Sequence, residues 1–311
     1  MHEYPRILYL GTPGISSFVL EGLISAGYNV VGVLAQPDKE VGRKRILEEV
    51  PTKKVALKHN IPVFQPAKVR LDYQFAQELQ PDLIICFAYG QIIPQGLLDI
   101  PHLGALNLHG SLLPQYRGAS PMQMALINDD KVTGITLMQM IDKMDAGLMY
   151  AKKEITIDDK DNFTSLAEKM KVAALHLLLE SLPLYLDEKL PGIAQNEDEV
   201  TFAGLIKREQ EHLDIRQPKS KIIGWVRALS EEPGAYLLWK DQIIKMLEVE
   251  AINDQVEAPI GTIIQANKNG LFIQVSDGQL EIKRLQMAGK RPMISKEFVN
   301  GRQGLEGEIW L

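Results

Sequence analysis

Gly104-Ala105-Leu106-Asn107-Leu108-His109-Gly110-Ser111-Leu112-Leu113-Pro114-Gln115-Tyr116-Arg117-Gly118 is the stretch on which the reading of this 311-residue chain turns. Ala105 to Leu108 reads as the tail of a buried strand and everything after Gly110 as loop, so Asn107 and His109 sit where a strand gives out. Residues two apart on a strand face the same side, which aims both side chains into the crevice beyond the strand's carboxyl end, where open α/β sheets bind ligands. A carboxamide and an imidazole together offer two donors to one oxygen. That is a means of holding an oxyanion during acyl transfer, provided a third group manages protons. An isolated Asn-x-His more often caps a turn and packs a satisfied histidine, so the meaning of this pair depends on its company.

Upstream, Arg6 to Leu10 is a short buried strand, and Gly11-Thr12-Pro13-Gly14 turns the chain into a helix beginning near Ser16. This invites a dinucleotide-binding reading, but Gly-x-x-Gly-x-Ser lacks the middle and third glycines of that fingerprint. Asn29 to Ala35 is the next strand, and a strand, helix, strand unit implies a parallel sheet. Gln36 to Arg45 carries a glycine and three consecutive cations, Arg43-Lys44-Arg45, which as a bare run is a solvated charged loop. Helical patterning resumes at Thr52 to His59 and near Tyr73 to Leu79. Leu83 to Phe87 is continuously apolar, as in a strand covered on both faces. Its Cys86, the only cysteine, reads as a buried inert thiol. Ala88-Tyr89-Gly90 follows at the strand's carboxyl end, where backbone and apolar groups could wall a pocket for a flat heterocycle.

Downstream, Pro121 to Asn128 reads as a helix and Thr133 to Met140 as a strand. The turn Asp142 to Gly147 then places a carboxylate, Asp145, just past that strand; beside a donor pair it becomes a candidate proton handler. Met138, Met140 and Met144 read as core packing rather than a metal site. Leu148 to Ile157 is a returning strand and Asn162 to Tyr185 a long amphipathic helix closed by Pro183. Leu190 to Val200 is polar and acidic, as in a linker. Beyond it come one helix, Ser220 to Leu229, and short strands at Ala235 to Trp239, Gln242 to Leu247, Gly261 to Ala266, Leu271 to Val275 and Gln279 to Gln286. Asn269-Gly270 and Asp277-Gly278 are hairpin signals. Such a series indicates a small β-barrel of the kind that grips oligonucleotides. The expected organisation is a domain over 1–189, a linker over 190–206 and a barrel domain over 207–311.

Hydrophobic content of 45% is ordinary for soluble globular cores. No apolar run is long enough for a membrane span. The start, Met1 to Arg6, runs into a strand without a signal-peptide pattern, so the chain reads as cytoplasmic. The net charge of −6 by itself argues against a nucleic-acid partner. The excess is uneven: from Lys207 onward acids and bases cancel at 15 each, so local basic clusters must carry any phosphate contact. The lone cysteine and scattered histidines never reach a zinc-ligand spacing.

The run from Asn107 to Gly118, followed by Met140-Ile141-Asp142-Lys143-Met144-Asp145-Ala146-Gly147, resembles the folate-dependent formyltransferases, in particular their methionyl-tRNA-directed branch. The resemblance covers nearly the whole chain, through Gly11-Thr12-Pro13, Gln36-Pro37-Asp38, Ala88-Tyr89-Gly90, Gly261-Thr262-Ile263 and Gln286-Met287-Ala288-Gly289-Lys290-Arg291-Pro292-Met293. Other formyltransferases share the Asn, His and Asp; the C-terminal Gln-x-Ala-Gly-Lys-x-x-Met run marks the tRNA-directed branch.

The resemblance implies a Rossmann-like parallel-sheet catalytic domain followed by a small barrel of the oligonucleotide-binding (OB) type. It implies transfer of the formyl group of 10-formyltetrahydrofolate to methionine on initiator Met-tRNA, with no metal, no membrane and no obligate protein partner. Asn107, His109 and Asp145 match the family's catalytic residues. Ser111-Leu112-Leu113-Pro114 match its folate-binding segment, beside the Ala88-Tyr89-Gly90 wall, and Arg43 with Lys44 and Arg45 falls in its tRNA-contacting loop. The chain departs from the family at Ser230-Glu231-Glu232-Pro233-Gly234, where Asn-Pro-Trp-Pro-Gly is common, and at Asp214-Ile215, where Asp-Trp is usual. Two rival readings stay open: the same chemistry on an amino-sugar nucleotide, and a non-catalytic RNA-binding protein.

Overall fold

The computed structural model describes residues 5–41 and 46–311. The chain begins β1 (Ile7–Gly11), α1 (Gly14–Ser25), β2 (Val30–Leu34), β3 (Lys39–Val41), β4 (Ile46–Glu48), α2 (Pro51–Lys58) and β5 (Val63–Phe64). It continues α3 (Gln74–Leu79), β6 (Leu83–Phe87), α4 (Gln95–Leu98), β7 (Ala105–His109), α5 (Pro121–Ile127), β8 (Val132–Gln139), β9 (Met149–Thr156) and α6 (Phe163–Leu186). The C-terminal part holds α7 (Lys219–Leu229), β10 (Ala235–Trp239), β11 (Gln242–Asn253), β12 (Ile263–Asn267), β13 (Gly270–Val275), β14 (Gly278–Met287), β15 (Met293–Ile294) and α8 (Ser295–Val299).

Continuous apolar runs make the centre of the first sheet: every residue of β1 and of β6 is buried, as strands covered on both faces require. The sheet order is β5-β2-β1-β6-β7-β8-β9. Its first five strands are parallel, whereas β8 runs antiparallel to β7. The Rossmann-like parallel sheet is therefore present and acquires a mixed edge. The register places Asn107 opposite Cys86 on one side and Met138 on the other, and His109 opposite Thr136.

Three local expectations need correction. Helix α6 does not close at Pro183 but runs to Leu186; the ring removes one backbone donor, and Asp187 N–H still reaches Pro183 O at 3.0 Å, so the last turn survives. The stretch read as a loop after β2 is flanked by the paired strands β3 and β4, with Lys39 opposite Glu48 and Val41 opposite Ile46; three-residue strands are too short to show a period. Arg43, Lys44 and Arg45 lie outside the described residues. The segment with linker composition is hydrogen-bonded into structure over 193–203, as described below.

Close contacts divide the chain into two units. The first comprises the chain up to Gly118 with Thr133–Thr156 and Ala167–Ala203; the second comprises Ala119–Val132, Ile157–Leu166 and Gly204–Leu311. In the second unit the strand order is β10-β11-β14-β13-β12, with β15 beside β14. The C-terminal residues bridge its two edges: Trp310 N–H donates to Gly261 O at 2.8 Å and Leu311 N–H to Leu238 O at 3.0 Å. That pairing closes the antiparallel sheet into an OB-like barrel and covers edges that would otherwise invite association. Trp310 is fully buried, its ring centre 5.7 Å from that of Phe298 and 5.9 Å from that of Trp239. Ile215 is buried in the same core, so the departure from the usual Trp leaves a packed apolar side chain. Helix α7 lies against α5 at Gly224, where a Cβ would stand 2.8 Å from the carbonyl oxygens of Leu126 and Ile127.

Candidate active site

All the described candidate site residues fall in the first unit, and β7 positions two of them. The side chain of Asn107, in the middle of β7 and two residues before its end, is half-buried and has no hydrogen-bond partner among the described residues. His109 is 5% exposed, and its Nε2 lies 2.9 Å from Tyr116 O. A carbonyl only accepts, so Nε2 carries a proton and donates. The other ring nitrogen, Nδ1, faces Asp145 Oδ1 at 3.6 Å, an ion-pair approach too long for a direct hydrogen bond.

Asp145 comes from the β8–β9 turn and adopts the left-handed region, φ +52°, which aspartate tolerates better than most residues. Gly118 N–H donates to its Oδ2 at 2.8 Å. Its backbone carbonyl accepts from Gln195 Nε2 at 2.8 Å, and the same amide reaches Gly147 O at 2.9 Å. Gln195 Oε1 in turn accepts from Arg117 Nε at 2.9 Å, and Arg117 also pairs with Glu197 at 2.8 Å. Glu197 is held by Arg117 and Lys143, whose hydrogen bonds depress its carboxyl to about 2. Composition alone marked this segment as linker; a single glutamine or arginine carries no pattern, so Gln195 and the role of Arg117 went unread.

The Ser111 to Pro114 segment is tied to β8. Ser111 Oγ donates to Gln115 O at 2.6 Å, Thr136 Oγ1 donates to Ser111 O at 2.7 Å and accepts from Leu113 N–H at 3.1 Å. Ser111, Leu113 and Pro114 are buried while Leu112 is half-buried, so the first three hold the loop's shape.

Ala88, Tyr89 and Gly90 leave β6 beside Asn107, since Cys86 is its register partner. Ala88 and Gly90 are exposed with φ of +54° and +92°, and such strained positions on a Cβ-bearing residue cluster at functional sites. Thr12 Oγ1 donates to Tyr89 O at 2.9 Å. The Tyr89 hydroxyl is buried without a partner among the described residues, and burial raises its pKa. Burial, aided by the charge of Asp145, pushes the Cys86 thiol up to about 12, consistent with an inert thiol. Among the described residues no cluster of three His, Cys, Asp or Glu could hold a metal ion, and no helix is long and apolar enough to cross a membrane.

Two family models match the chain, one on each side of this fold. Residues 6–182 match "Formyl transferase" and residues 205–303 "Formyl transferase, C-terminal domain". The chain belongs to the formyl transferase family. It is 43% identical over 299 residues to the methionyl-tRNA formyltransferase of Bacillus pumilus, covering 95% of this chain and 94% of that protein. It is 40% identical over 299 residues to that of Lactobacillus johnsonii, covering 95% of each. Among solved structures it shares the fold of a Helicobacter canadensis N-formyltransferase in complex with folinic acid and dTDP-3-aminofucose (TM-score 0.68, 15% identity, 91% of this chain and 99% of that one). It also shares the fold of Aquifex aeolicus HypX in complex with tetrahydrofolic acid (TM-score 0.67, 18% identity, 96% and 48%).

Proposed function

We propose that this protein transfers the formyl group of 10-formyltetrahydrofolate to the free α-amino group of methionine on initiator Met-tRNA, supplying formylmethionyl-tRNA for translation initiation in the cytoplasm. One observation supports the chemistry above the rest: the open amide of Asn107 stands on β7 two residues before a His109–Asp145 pair at the strand's end. The relatives named methionyl-tRNA formyltransferase, matched along almost the whole chain, support the substrate.

The residues present fit a flat folate ring. Ala88 and Gly90 are exposed, and Ile92 is 74% exposed on the same connection, which leaves β6 one residue after Cys86, the register partner of Asn107. Ser111-Leu112-Leu113-Pro114 would border it. The folate supplies an activated formyl group. Asn107 donates to the formyl oxygen as it gains charge, and His109 joins it by exchanging its bond to Tyr116 O. Each such donor contributes on the order of 3 kcal/mol, roughly a hundredfold in rate. Asp145, fixed by Gly118 N–H and Gln195, accepts the proton that the amine loses on attack and returns it to N10 as the formyl C–N10 bond breaks, so that tetrahydrofolate leaves neutral at that nitrogen. The groups proposed to act on substrate all precede residue 190, the segment 190–206 supports Asp145 through Gln195, and the barrel over 207–311 would bind tRNA. Arg43, Lys44 and Arg45 would contact its phosphates.

Incubation with 10-formyltetrahydrofolate and, separately, Met-tRNA or an amino-sugar nucleotide tests the reading. Formylation of Met-tRNA alone is the expected result; formylation of the sugar alone, or of neither, overturns it.

A further inference from the structure

We propose that Gln195 is a positioning residue for Asp145, locked in place by the buried Arg117. The inference rests on the catalytic reading of Asp145 given above. Asp145 occupies a backbone region that L-residues avoid, φ +52°, so surrounding structure must hold it there. Gln195 does so with both amide protons, one on Asp145 O at 2.8 Å and one on Gly147 O at 2.9 Å. These two carbonyls lie on either side of Ala146, and an amide that bridges them fixes the turn's rotation. Arg117 Nε donates to the opposite end of the same amide at 2.9 Å, which dictates the amide's orientation, because only the oxygen accepts.

Arg117 itself cannot wander. Its side chain is 1% exposed, and its guanidinium is closed by Glu197, two residues beyond Gln195 on the same segment. Its backbone is paired as well: Arg117 N–H donates to Thr201 O at 2.9 Å, and Ala203 N–H donates to Arg117 O at 2.7 Å. The next residue, Gly118, donates to the Asp145 carboxylate at 2.8 Å. The segment 195–203 therefore holds Asp145 from two directions, its backbone through Gln195 and its carboxylate through Arg117 and Gly118. Displacement of a catalytic group by about 1 Å costs on the order of a hundredfold in rate, so the loss of this clamp is read in turnover rather than in binding.

The test is steady-state kinetics with 10-formyltetrahydrofolate and Met-tRNA for Gln195→Ala and Gln195→Glu, each also in an Asp145→Asn background. Gln195→Glu keeps the size and the acceptor for Arg117 but removes both donated protons, so it separates positioning from packing and guards against a misfolded alanine variant. Both variants are expected to lower kcat roughly tenfold or more with either KM within about twofold. In Asp145→Asn, itself slower by about two decades, adding either change should alter kcat by less than about twofold, since the residues act as one unit. Wild-type kcat in Gln195→Glu, a loss confined to KM, or a tenfold loss that persists in Asp145→Asn overturns the inference while leaving Asp145 catalytic. Full turnover in Asp145→Asn alone overturns the catalytic reading and this inference with it.

Discussion

Nε2 of His109 donates to the carbonyl oxygen of Tyr116 at 2.9 Å, whereas the amide of Asn107, two residues earlier on the strand, has no partner among the described residues. The two groups are therefore inequivalent at rest, and under the proposed mechanism Asn107 would take an incoming oxygen directly whereas His109 would first exchange one acceptor for another. Asn107→Ala should lower kcat roughly a hundredfold without loss of fold contacts, so that the thermal midpoint stays within a few degrees. His109→Ala should do likewise, and the double variant should lose less than the product of the two effects. Kinetics beside thermal melts check this; unchanged turnover in Asn107→Ala removes its assigned role.

Gly118 has φ +120°, and a Cβ there would stand 2.5 Å from Ala203 O. Gly118→Ala must shift backbone that carries both the Arg117 pairing and the donor to Asp145. The expected cost is about 2 kcal/mol or more, with a fall in kcat. Gly204, one residue past the clamp with nothing near its missing Cβ, serves as the control, and Gly204→Ala should be within about 0.5 kcal/mol of wild type. Denaturant unfolding of the two variants decides.

The Glu197 carboxyl ordinarily titrates at 4.5 and is held down at about 2, first by the hydrogen bonds of Arg117 and Lys143. Above the ordinary value both folded and unfolded chains carry the charge, and the paired carboxylate stabilises the fold. As pH falls through the interval toward about 2, the unfolded chain takes up the proton first, and that stabilisation is lost. Glu197→Gln should therefore be less stable than wild type near neutrality, modestly so because the carboxylate is exposed. The gap should close between pH 4.5 and about 2. Unfolding curves across that range test it; a gap that does not vary with pH assigns the effect to packing instead.

Arg43 follows Gly42 in the cationic run proposed above to contact tRNA, in a chain whose net charge of −6 opposes nucleic acid. If Arg43 neutralises a phosphate, log affinity falls with log salt by about 0.7 to 0.9 for that contact. Arg43→Ala is expected to lower kcat/KM for Met-tRNA and to flatten its salt slope by roughly one contact, with folate affinity nearly untouched. Parallel slopes and equal kcat/KM would make the run a solvated turn.

Periodicity and runs of apolar residues determined the central elements from the sequence alone. Leu83–Phe87 and Ala235–Trp239 have the bounds that their residues indicate, because a strand buried on both faces or alternating on one leaves a pattern within a few residues. The same local logic put Asn107 and His109 two apart on one strand, since that spacing is all that a shared face requires, but the strand runs on through His109 and leaves Asn107 in its middle. The antiparallel entry of β8, the closure of the barrel by Gly261–Trp310 and Leu238–Leu311 pairing, and the 193–203 clamp were decided only in three dimensions. Each depends on a partner far along the chain: Gln195 meets Asp145 fifty residues away, and Arg117 meets Glu197 eighty away. An isolated glutamine in a polar stretch has the composition of a linker whether or not its amide finds two carbonyls. What separates those outcomes is a pair of hydrogen bonds that exists only once the turn and the segment have been brought together.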